Sequence, residues 1–372
     1  MIYLDSAATS FQKPACVRYA VDDALCRLSS PGRGGYDSAM AAADTVFACR
    51  TALADMFRVP AEEQVVFTAS ATHALNIAIK SLVAPGDRVA VSGYEHNAVM
   101  RPLHAIGADI QAAASPLYAP EEAVEAFRRA LPGAKAAVCC HVSNVFGYIL
   151  PLEEIAALCR SYGVPLIVDA SQSAGCVPID FKALGCAYMA MPGHKGLLGP
   201  QGIGVLLCGE DRPRTLIEGG TGSMSELAEM PEFLPDRLEA GTHNVPGIAG
   251  LLAGVRWVNR RMPEAILMHE TRLRRLFSEE IAGEGRILQI CAAEDRTQSG
   301  VLSVQVEGLD CEEAAQRLAE QGIAVRAGLH CAPLAHRTAG TFGTGTVRLS
   351  FSPFNTEREI ERAAAALCRL CR

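Results

Sequence analysis

Short apolar runs rich in β-branched residues alternate with stretches of helical spacing along the first two-thirds of the chain. The runs that predict strands cover residues 64–68, 87–92, 136–141, 164–169 and 202–207, and we interpret the last as an edge strand. Helical spacing covers residues 14–28, 38–57 and 153–162, and a further helix opens within residues 69–76. This alternation predicts a parallel, doubly wound sheet that binds its ligand at the carboxyl ends of the strands.

A second, smaller unit follows a helical stretch predicted from residue 246 to about residue 282. Its predicted strands are 300–306, 324–326 and 346–351, and residues 312–320 have helical spacing between them. The mixture predicts an α+β unit rather than a continuation of the first sheet.

Composition narrows the class of protein. The chain has 372 residues, about half of them apolar and a fifth charged, which is the profile of a soluble globular enzyme. A net charge of −7 leaves no basic footprint for nucleic acid. No apolar run approaches about 18 residues, and the first residues lack a basic segment followed by an apolar one. We therefore expect a cytoplasmic protein without a membrane span.

Fourteen cysteines are many for a cytoplasmic chain, yet a chain of this size does not need a disulfide scaffold. Most lie in apolar contexts, as Cys139 and Cys140 do, and buried free thiols are the simplest interpretation. Cys368 and Cys371 form a terminal Cys-x-x-Cys that is either a redox or metal pair or two thiols at a helix end. Because no second pair has zinc-ligand spacing, we favour the latter and expect no metal site.

The strongest candidate chemistry lies between residues 166 and 200. Asp169 ends a predicted buried strand, Gln172 follows it, and His194 and Lys195 lie between two glycines. A carboxylate and a lysine at neighbouring strand ends fit pyridoxal phosphate, in which the lysine forms a Schiff base and the acid keeps the pyridinium nitrogen protonated. An isolated Gly-His-Lys-Gly would indicate only a surface turn, but Asp169 and Gln172 favour the cofactor interpretation.

Two further segments carry weaker signals. Ser70, Ala71 and Thr72 open a helix with small residues, which suits a phosphate at the positive end of the helix dipole or is simply an N-cap.

Cys331 lies on a loop that begins at Arg326 and is either a reactive thiol or one more structural cysteine. A reactive cysteine acts as its thiolate, which Arg326 and His330 could favour unless the His330 side chain points elsewhere. Arg33, on a loop with three glycines, could reach a phosphate or remain solvated.

These motifs together resemble the class V, fold-type I pyridoxal-phosphate enzymes of the cysteine desulfurase and selenocysteine lyase family. The match runs from Tyr3-Leu4-Asp5-Ser6-Ala7-Ala8 to Arg348-Leu349-Ser350, with the motifs in the family's order. The resemblance implies an α/β fold with a mainly parallel seven-stranded sheet flanked by helices and a smaller α+β C-terminal domain. It implies a large cofactor-binding domain at residues 15–250 and a small domain formed by residues 1–14 and 251–372, which carries the Cys331 loop.

The resemblance also implies roles for particular residues. Lys195, Cys331 and His96 are expected to be catalytic, with His96 flat against the cofactor ring. Asn144, Arg326 and Arg348 are expected to bind the substrate, with Arg348 at its carboxylate. The expected cofactor-binding residues are Ser70, Ala71, Thr72, His96, Asn144, Asp169, Gln172, His194, Lys195 and Thr242, the last reaching the phosphate of a neighbouring subunit in a homodimer.

Three positions depart from the family pattern: Pro192 replaces the usual Ser, Ala71 a frequent Thr, and Asn97 a second His. The short span from Cys331 to Val347 resembles the subgroup whose cysteine is tightly held. The leading hypothesis is a cysteine desulfurase that converts L-cysteine to L-alanine and leaves a persulfide on Cys331. The alternatives are a selenocysteine lyase acting on L-selenocysteine, another class V aminotransferase or β-lyase with an idle Cys331, and a scaffold that mainly hands sulfur or selenium to an acceptor protein.

Overall fold

The fold is described from a computed structural model, which covers residues 1–32, 34–209, 213–291 and 295–371, without the side chain of Asp295. In these residues seven strands form one large sheet, after a short strand β1 (Ile2–Tyr3). The strands of the large sheet are β2 (Val65–Thr68), β3 (Arg88–Ser92), β4 (Asp109–Ala113), β5 (Ala136–Cys140), β6 (Leu166–Asp169), β7 (Tyr188–Pro192) and β8 (Gly204–Cys208).

The sheet has the order β2-β8-β7-β6-β5-β3-β4 and is mainly parallel, as predicted. Each neighbouring pair from β7 to β4 is parallel, whereas β8 is antiparallel to both β7 and β2. The interpretation of residues 202–207 as an edge strand is wrong, because β8 lies inside the sheet. The run Gly-Val-Leu-Leu-Cys is buried at every position, and an apolar run without alternation is typical of a strand covered on both faces.

Helices cover both faces of the sheet. They are α1 (Ala15–Arg27), α2 (Asp37–Phe57), α3 (Ala71–Leu82), α4 (Asn97–Ile106), α5 (Pro120–Ala130), α6 (Leu152–Tyr162), α7 (Phe181–Leu184), α8 (Val245–Arg261) and α9 (Pro263–Ile281). Successive strand residues point to opposite faces of the sheet and therefore pack into two separate cores. Ile167 packs with α3 and α4, whereas Leu166 and Val168 pack with α2, α5, α6 and α8.

The helix predicted over residues 246–282 is two helices. The chain turns at Met262, whose φ is +65°, and α9 begins at Pro263. A residue before proline is disfavoured in the helical region, so the break follows from the sequence Met-Pro.

The C-terminal part adds β9 (Ile287–Ile290), β10 (Val301–Val306), α10 (Cys311–Glu320), β11 (Ile323–Ala324), β12 (Arg326–Gly328), α11 (Pro333–Thr338), β13 (Thr346–Ser350) and α12 (Glu357–Arg369). Its antiparallel sheet has the order β12-β13-β10-β9. The single strand predicted at residues 324–326 is divided, because β11 pairs with β1 while β12 pairs with β13.

The N-terminal segment crosses to this C-terminal part. β1 pairs in parallel with β11, and Ile2 and Leu4 are buried in a core built otherwise from residues 273–371. The predicted boundary at residue 250 stays a prediction, since α8 runs through it. Cys371 is buried in the same core, at the end of α12. In the described part of the chain, every helix is too short or too polar to cross a membrane.

Candidate active site

One cavity lies at the carboxyl ends of β5, β6 and β7, where the doubly wound sheet was expected to bind its ligand. The predicted cofactor residues other than Thr242 line it together: Ser70, Ala71, Thr72, His96, Asn144, Asp169, Gln172, His194 and Lys195. Pro192 also lines it, at the position where the family usually has Ser. The structure therefore gathers in one place residues that are up to 125 positions apart in sequence (195 − 70 = 125).

Lys195 lies half-buried on a tight turn after β7. A Cβ on the next residue, Gly196, would meet the carbonyl oxygen of Ala174 at 2.3 Å, so glycine is required for the turn to pack there. Burial lowers the pKa of Lys195 to about 8, against the opposing effect of the Asp169 charge. About a tenth of the amine is therefore neutral one pH unit below this pKa, and the neutral form is the one that a nucleophile or a base requires.

Asp169 and His96 flank the lysine in the cavity. The carboxylate of Asp169 is buried, and its Oδ1 accepts a hydrogen bond from the Ser171 N–H at 2.9 Å. His96 is the N-cap of α4, and its Nδ1 accepts from the Ala98 N–H at 3.0 Å. An accepting Nδ1 places the ring proton on Nε2, and burial lowers the pKa of His96, so the ring is neutral.

The start of α3 forms the end of the cavity that suits a phosphate. Ser70 caps the helix by accepting from the His73 N–H at 3.2 Å, and Ala71 and Thr72 form the first turn. Gly204 of β8 allows this close packing, since a Cβ there would lie 2.5 Å from the Ser70 carbonyl carbon. The first N–H groups of a helix lack intrahelical partners and carry its positive dipole end, so these residues fit an anionic group.

His194 ties the lysine turn to the N-terminal segment. Its Nδ1 contacts the Thr9 hydroxyl at 2.9 Å, and its carbonyl oxygen accepts from the Ser10 N–H at 3.1 Å and the Lys13 ammonium at 3.0 Å. Burial lowers the pKa of His194 to about 4, and Lys195 and Lys13 act in the same direction. Toward a phosphate, His194 is therefore a neutral hydrogen-bonding group rather than a charge.

The Cys331 loop reaches the same region from the C-terminal part. Cys331 is exposed, and both His330 and Cys331 have left-handed backbones, with φ of +49° and +56°. Two hydrogen bonds hold their carbonyl oxygens: the Asn144 side-chain amide donates to His330 at 2.8 Å, and the Asn97 N–H donates to Cys331 at 2.8 Å. Left-handed backbone is unfavourable for these residues, so the loop keeps this shape through such contacts.

His330 does not supply positive charge to the thiol. Its ring is buried, and its Nε2 lies 3.1 Å from the Thr346 hydroxyl and 3.2 Å from the Thr346 carbonyl oxygen. Burial, with a smaller contribution from Arg348, lowers the pKa of His330 to about 2. Of the two expected neighbours, only Arg326 is positively charged.

The two predicted substrate-binding arginines share one carboxylate. Arg348 is buried and contacts Asp5 Oδ1 at 2.7 Å, while Arg326 contacts Asp5 Oδ2 at 3.2 Å. Arg348 also donates to the Asn144 carbonyl oxygen at 2.9 Å. Its Nε has no hydrogen-bond acceptor among the described residues, so it is an unsatisfied buried donor beside the cavity wall.

Thr242 does not join the cavity of its own chain. It is exposed on a loop that Glu239 anchors, because this buried carboxylate accepts from the Phe67 N–H at 2.6 Å and contacts the His243 ring at 2.6 Å. Arg33 lies outside the described residues.

Two carboxylates of the site were not predicted from the sequence. Asp5 belongs to the N-terminal motif, but its pairing with Arg326 and Arg348 was not predicted. Glu95 is fully buried behind His96, where it accepts from the Ser92 hydroxyl and from the Cys140 N–H at 2.6 Å, and burial raises its pKa to about 7. The only sequence signal for Glu95 was its place beside His96 after a buried strand.

An α/β fold with a half-buried lysine and a carboxylate at neighbouring strand ends defines a class, and the match to known proteins agrees with it. The family model described as "Aminotransferase class-V" matches residues 2–363, and the chain belongs to this family. Membership implies pyridoxal phosphate as the cofactor.

Proteins similar to this chain have a more specific description. A "Probable cysteine desulfurase" of Vibrio cholerae is 32% identical over 99% of this chain and 93% of its own length. A solved apo cysteine desulfurase from Thermococcus onnurineus NA1 superposes with a TM-score of 0.90 at 29% identity, covering 100% of this chain and 94% of the other. The cysteine desulfurase CsdA from Escherichia coli gives 0.85 at 28% identity, covering 99% and 94%. The predicted family and fold are thereby confirmed.

Proposed function

We propose that the protein is a pyridoxal-phosphate-dependent cysteine desulfurase that converts L-cysteine to L-alanine and takes the sulfur as a persulfide on Cys331. One observation carries the proposal. Lys195, with its lowered pKa, shares a cavity with Asp169, His96 and Asn144. The loop of the exposed Cys331 is tied to this cavity wall, because Asn144 donates to the His330 carbonyl oxygen and the Asn97 N–H donates to that of Cys331.

The residues present fit the cofactor. Lys195 would supply the amine that links to its aldehyde, Asp169 would hold its ring nitrogen protonated, and His96 would pack against its ring. Ser70, Ala71, Thr72 and His194 hold the phosphate at the start of α3, and Gln172 and Asn144 complete the walls. When bound, the cofactor withdraws electrons from the substrate's α-carbon. The neutral Lys195 then takes the α-proton, which its lowered pKa permits.

The substrate carboxylate binds on the side of Arg348. The unsatisfied Nε–H of Arg348 supports this assignment, because a buried guanidinium donor without an acceptor fits an incoming carboxylate. Arg326 extends the positive charge toward solvent, since half of its side chain is exposed. Asp5 already neutralises part of this charge, which suits a substrate with one carboxylate rather than two.

The sulfur transfer conserves atoms and electrons. A bond forms between the Cys331 sulfur and the substrate γ-sulfur while the Cβ–Sγ bond breaks, and its electron pair goes to Cβ, which gains a proton. L-Alanine leaves and Cys331 carries the persulfide. Because Cys331 is exposed, an acceptor protein or a small thiol can collect this sulfur from solvent.

A second copy of the chain completes the phosphate site in this proposal. Thr242 is exposed on an anchored loop and does not reach the cavity of its own chain. The outer face of α2 carries Met40 and Phe47, which are 55% and 61% exposed and lie seven residues apart on one face of the helix. Such apolar exposure supports a homodimer.

The test is an incubation of the purified protein with L-cysteine and, separately, with L-selenocysteine. Alanine formed with a persulfide on Cys331 supports the proposal. Alanine with selenide from selenocysteine, and none from cysteine, identifies a selenocysteine lyase. Pyruvate, or a product formed at an unchanged rate in Cys331→Ala, overturns the assignment of Cys331. Sulfur release that occurs only with an added acceptor assigns the protein to sulfur delivery.

A further inference from the structure

A second cavity lies against the lysine turn, and nothing in the proposed reaction uses it. Ser171, Gln172 and Lys195 line both this cavity and the cofactor cavity. Its other walls come from the N-terminal segment, from α9 and from residues 299–301 at the start of β10. Its volume is about 50 Å³, and since one water needs roughly 10–15 Å³, it has room for about three water molecules.

The one carboxyl group that lines this cavity among the described residues is Glu270 of α9. It makes no hydrogen bond and no ion pair with any described residue, and burial raises its pKa to about 8. Gly300 makes room for it, because a Cβ there would lie 2.5 Å from the Glu270 Cβ. A buried acid with no protein partner is normally solvated by ordered water where the cavity offers further polar groups.

Hydroxyl groups line the same cavity as this acid and the lysine. Ser6 and Ser299 line the cavity, and the Oγ of each has no hydrogen-bond partner among the described residues. Buried hydroxyls in this condition are satisfied by water, and a hydroxyl both donates and accepts, so it can pass a proton along a chain. The cavity therefore has the polar groups that a short water chain requires.

We propose that Glu270 exchanges protons with Lys195 through water held in this cavity and so stores the proton that Lys195 gives up or needs during turnover. The exchange balances without any redox change, because the Glu270 carboxylate gains the proton that the Lys195 ammonium loses. The inference rests on the proposed function, in which Lys195 acts as the base. Glu270 acts through Lys195 and does not touch the substrate.

The two groups are well matched for such an exchange. The pKa of Glu270 and the pKa of Lys195 are both about 8, so a proton moves between them at little cost in either direction. Cys176 also lines the cavity, but burial raises its pKa well above the usual range, so it stays a neutral thiol. On α9 itself, His269 faces the Asn355 carbonyl oxygen at 3.1 Å, and Arg274 does not line the cavity.

The first test needs no cofactor. Carboxyl titrations of the cofactor-free protein are followed by carbon-13 NMR of labelled glutamate in the wild type, in Glu270→Gln and in Glu280→Gln. Glu280 is a matched control, because it is an exposed glutamate on the same helix. We expect one glutamate to titrate near pH 8 in the wild type and in Glu280→Gln, and not in Glu270→Gln. Glu95 is also expected to titrate late, at a pKa of about 7, in all three proteins. A wild type in which no glutamate other than Glu95 titrates above pH 6 overturns the proposal.

The second test measures proton exchange at the active site. Each protein is loaded with pyridoxal phosphate, the link at Lys195 is verified by borohydride reduction, and loss of the α-hydrogen of L-alanine in heavy water is followed by NMR from pH 6 to pH 10. We expect Glu270→Gln to be about tenfold slower, with a changed pH profile, and Glu280→Gln to stay within about twofold of the wild type. Ser299→Ala, which removes one hydroxyl of the cavity, should slow the exchange in the same way.

The outcomes distinguish a failure of the proposed function from a failure of the proton store at Glu270. A wild type that forms no link at Lys195 contradicts the proposed function, whatever Glu270 does. A linked Glu270→Gln that matches the wild type in rate and pH profile overturns the proton store, and so does a uniform loss at every pH, which marks a structural role. Should Glu270→Gln fail to fold, the wild-type titration and Ser299→Ala still decide the question.

Discussion

At the scale of single residues, the site depends on opposing effects at Lys195. Burial favours the neutral amine, whereas the charge of Asp169 favours the ammonium, and burial has the larger effect. The balance leaves the lysine reactive near neutral pH while Asp169 remains available to a positively charged ring nitrogen. Replacement of Asp169 would therefore change the protonation of Lys195.

This balance predicts how cofactor capture depends on pH. The neutral amine is the nucleophile, so the rate at which cofactor-free protein captures pyridoxal phosphate should rise with pH and level off above about 8, where the amine has lost its proton. Asp169→Asn removes a charge that raises the pKa of Lys195, so its midpoint should move to lower pH. Stopped-flow absorbance measures both curves. A rate that keeps rising toward pH 10.5 would show an unperturbed lysine.

Cys331 gives the second prediction at this scale. Cys331→Ala should retain the cofactor link and bind L-cysteine, yet release sulfur at least about a hundredfold more slowly, because the attacking thiol is gone. Mass spectrometry after brief reaction and alkylation locates the persulfide, and Cys291→Ala, which removes another exposed cysteine, serves as the control. A persulfide found mainly on Cys139, Cys176 or Cys368, with Cys331 unmodified, would exclude the assignment.

The sequence predicts some of these residues better than others. Asp169 and Lys195 follow from a general rule, since strand ends of a doubly wound sheet meet at one edge. The orientation of the His330 ring could not be predicted from the adjacent residues. The ring Nε2 contacts Thr346, which lies sixteen residues later in the chain. The pairing of Asp5 with Arg348 spans 343 residues and could not be read from either motif.

At the scale of elements, the N-terminal segment joins the two parts of the molecule. Its strand β1 pairs with β11, Asp5 holds Arg348 of β13, and Ser10 and Lys13 hold the His194 carbonyl oxygen next to Lys195. The segment therefore fixes Arg348 relative to the lysine turn.

This arrangement predicts a large cost for Asp5→Asn. The Arg348 side chain is 3% exposed, so loss of its partner leaves a buried charge uncompensated, which should lower the free energy of unfolding by about 3 kcal/mol. Asp109→Asn is the control, since Asp109 pairs with Arg88 where both are about half exposed, and it should cost less than about 1 kcal/mol. Urea denaturation measures both. Equal losses in the two variants would contradict a structural role for the buried pair.

Elements with strong local signals were predicted well, and those fixed by pairing were not. The buried strands and the first helices follow from runs of apolar residues and from helical spacing. The interior place of β8 and the division of residues 324–326 between two sheets depend on partners far away in the chain. Local sequence predicts whether an element is a helix or a strand much better than it predicts which elements lie beside it.

At the scale of the whole molecule, the groups that we propose to react come from different parts of the chain. Lys195 and Asp169 belong to the large sheet, Cys331 and Arg348 to the C-terminal part, and hydrogen bonds from Asn97 and Asn144 connect the two. In the proposed homodimer, the exposed Thr242 and the apolar outer face of α2 would extend this arrangement to a second copy. A shared site would make activity depend on assembly.

The last prediction tests this dependence with mixed dimers. Lys195→Ala and Thr242→Arg should each be inactive as separate homodimers, the first for lack of the amine and the second because a bulky residue blocks the partner's phosphate site. When the two are co-expressed, half of the dimers are hybrids, and in each hybrid one site combines an intact Lys195 with an intact Thr242 from the other subunit. Alanine formation should therefore return to about a quarter of the wild-type rate. Mixed dimers that remain inactive, or a wild type that sediments as an active monomer, would show that each chain builds its site alone.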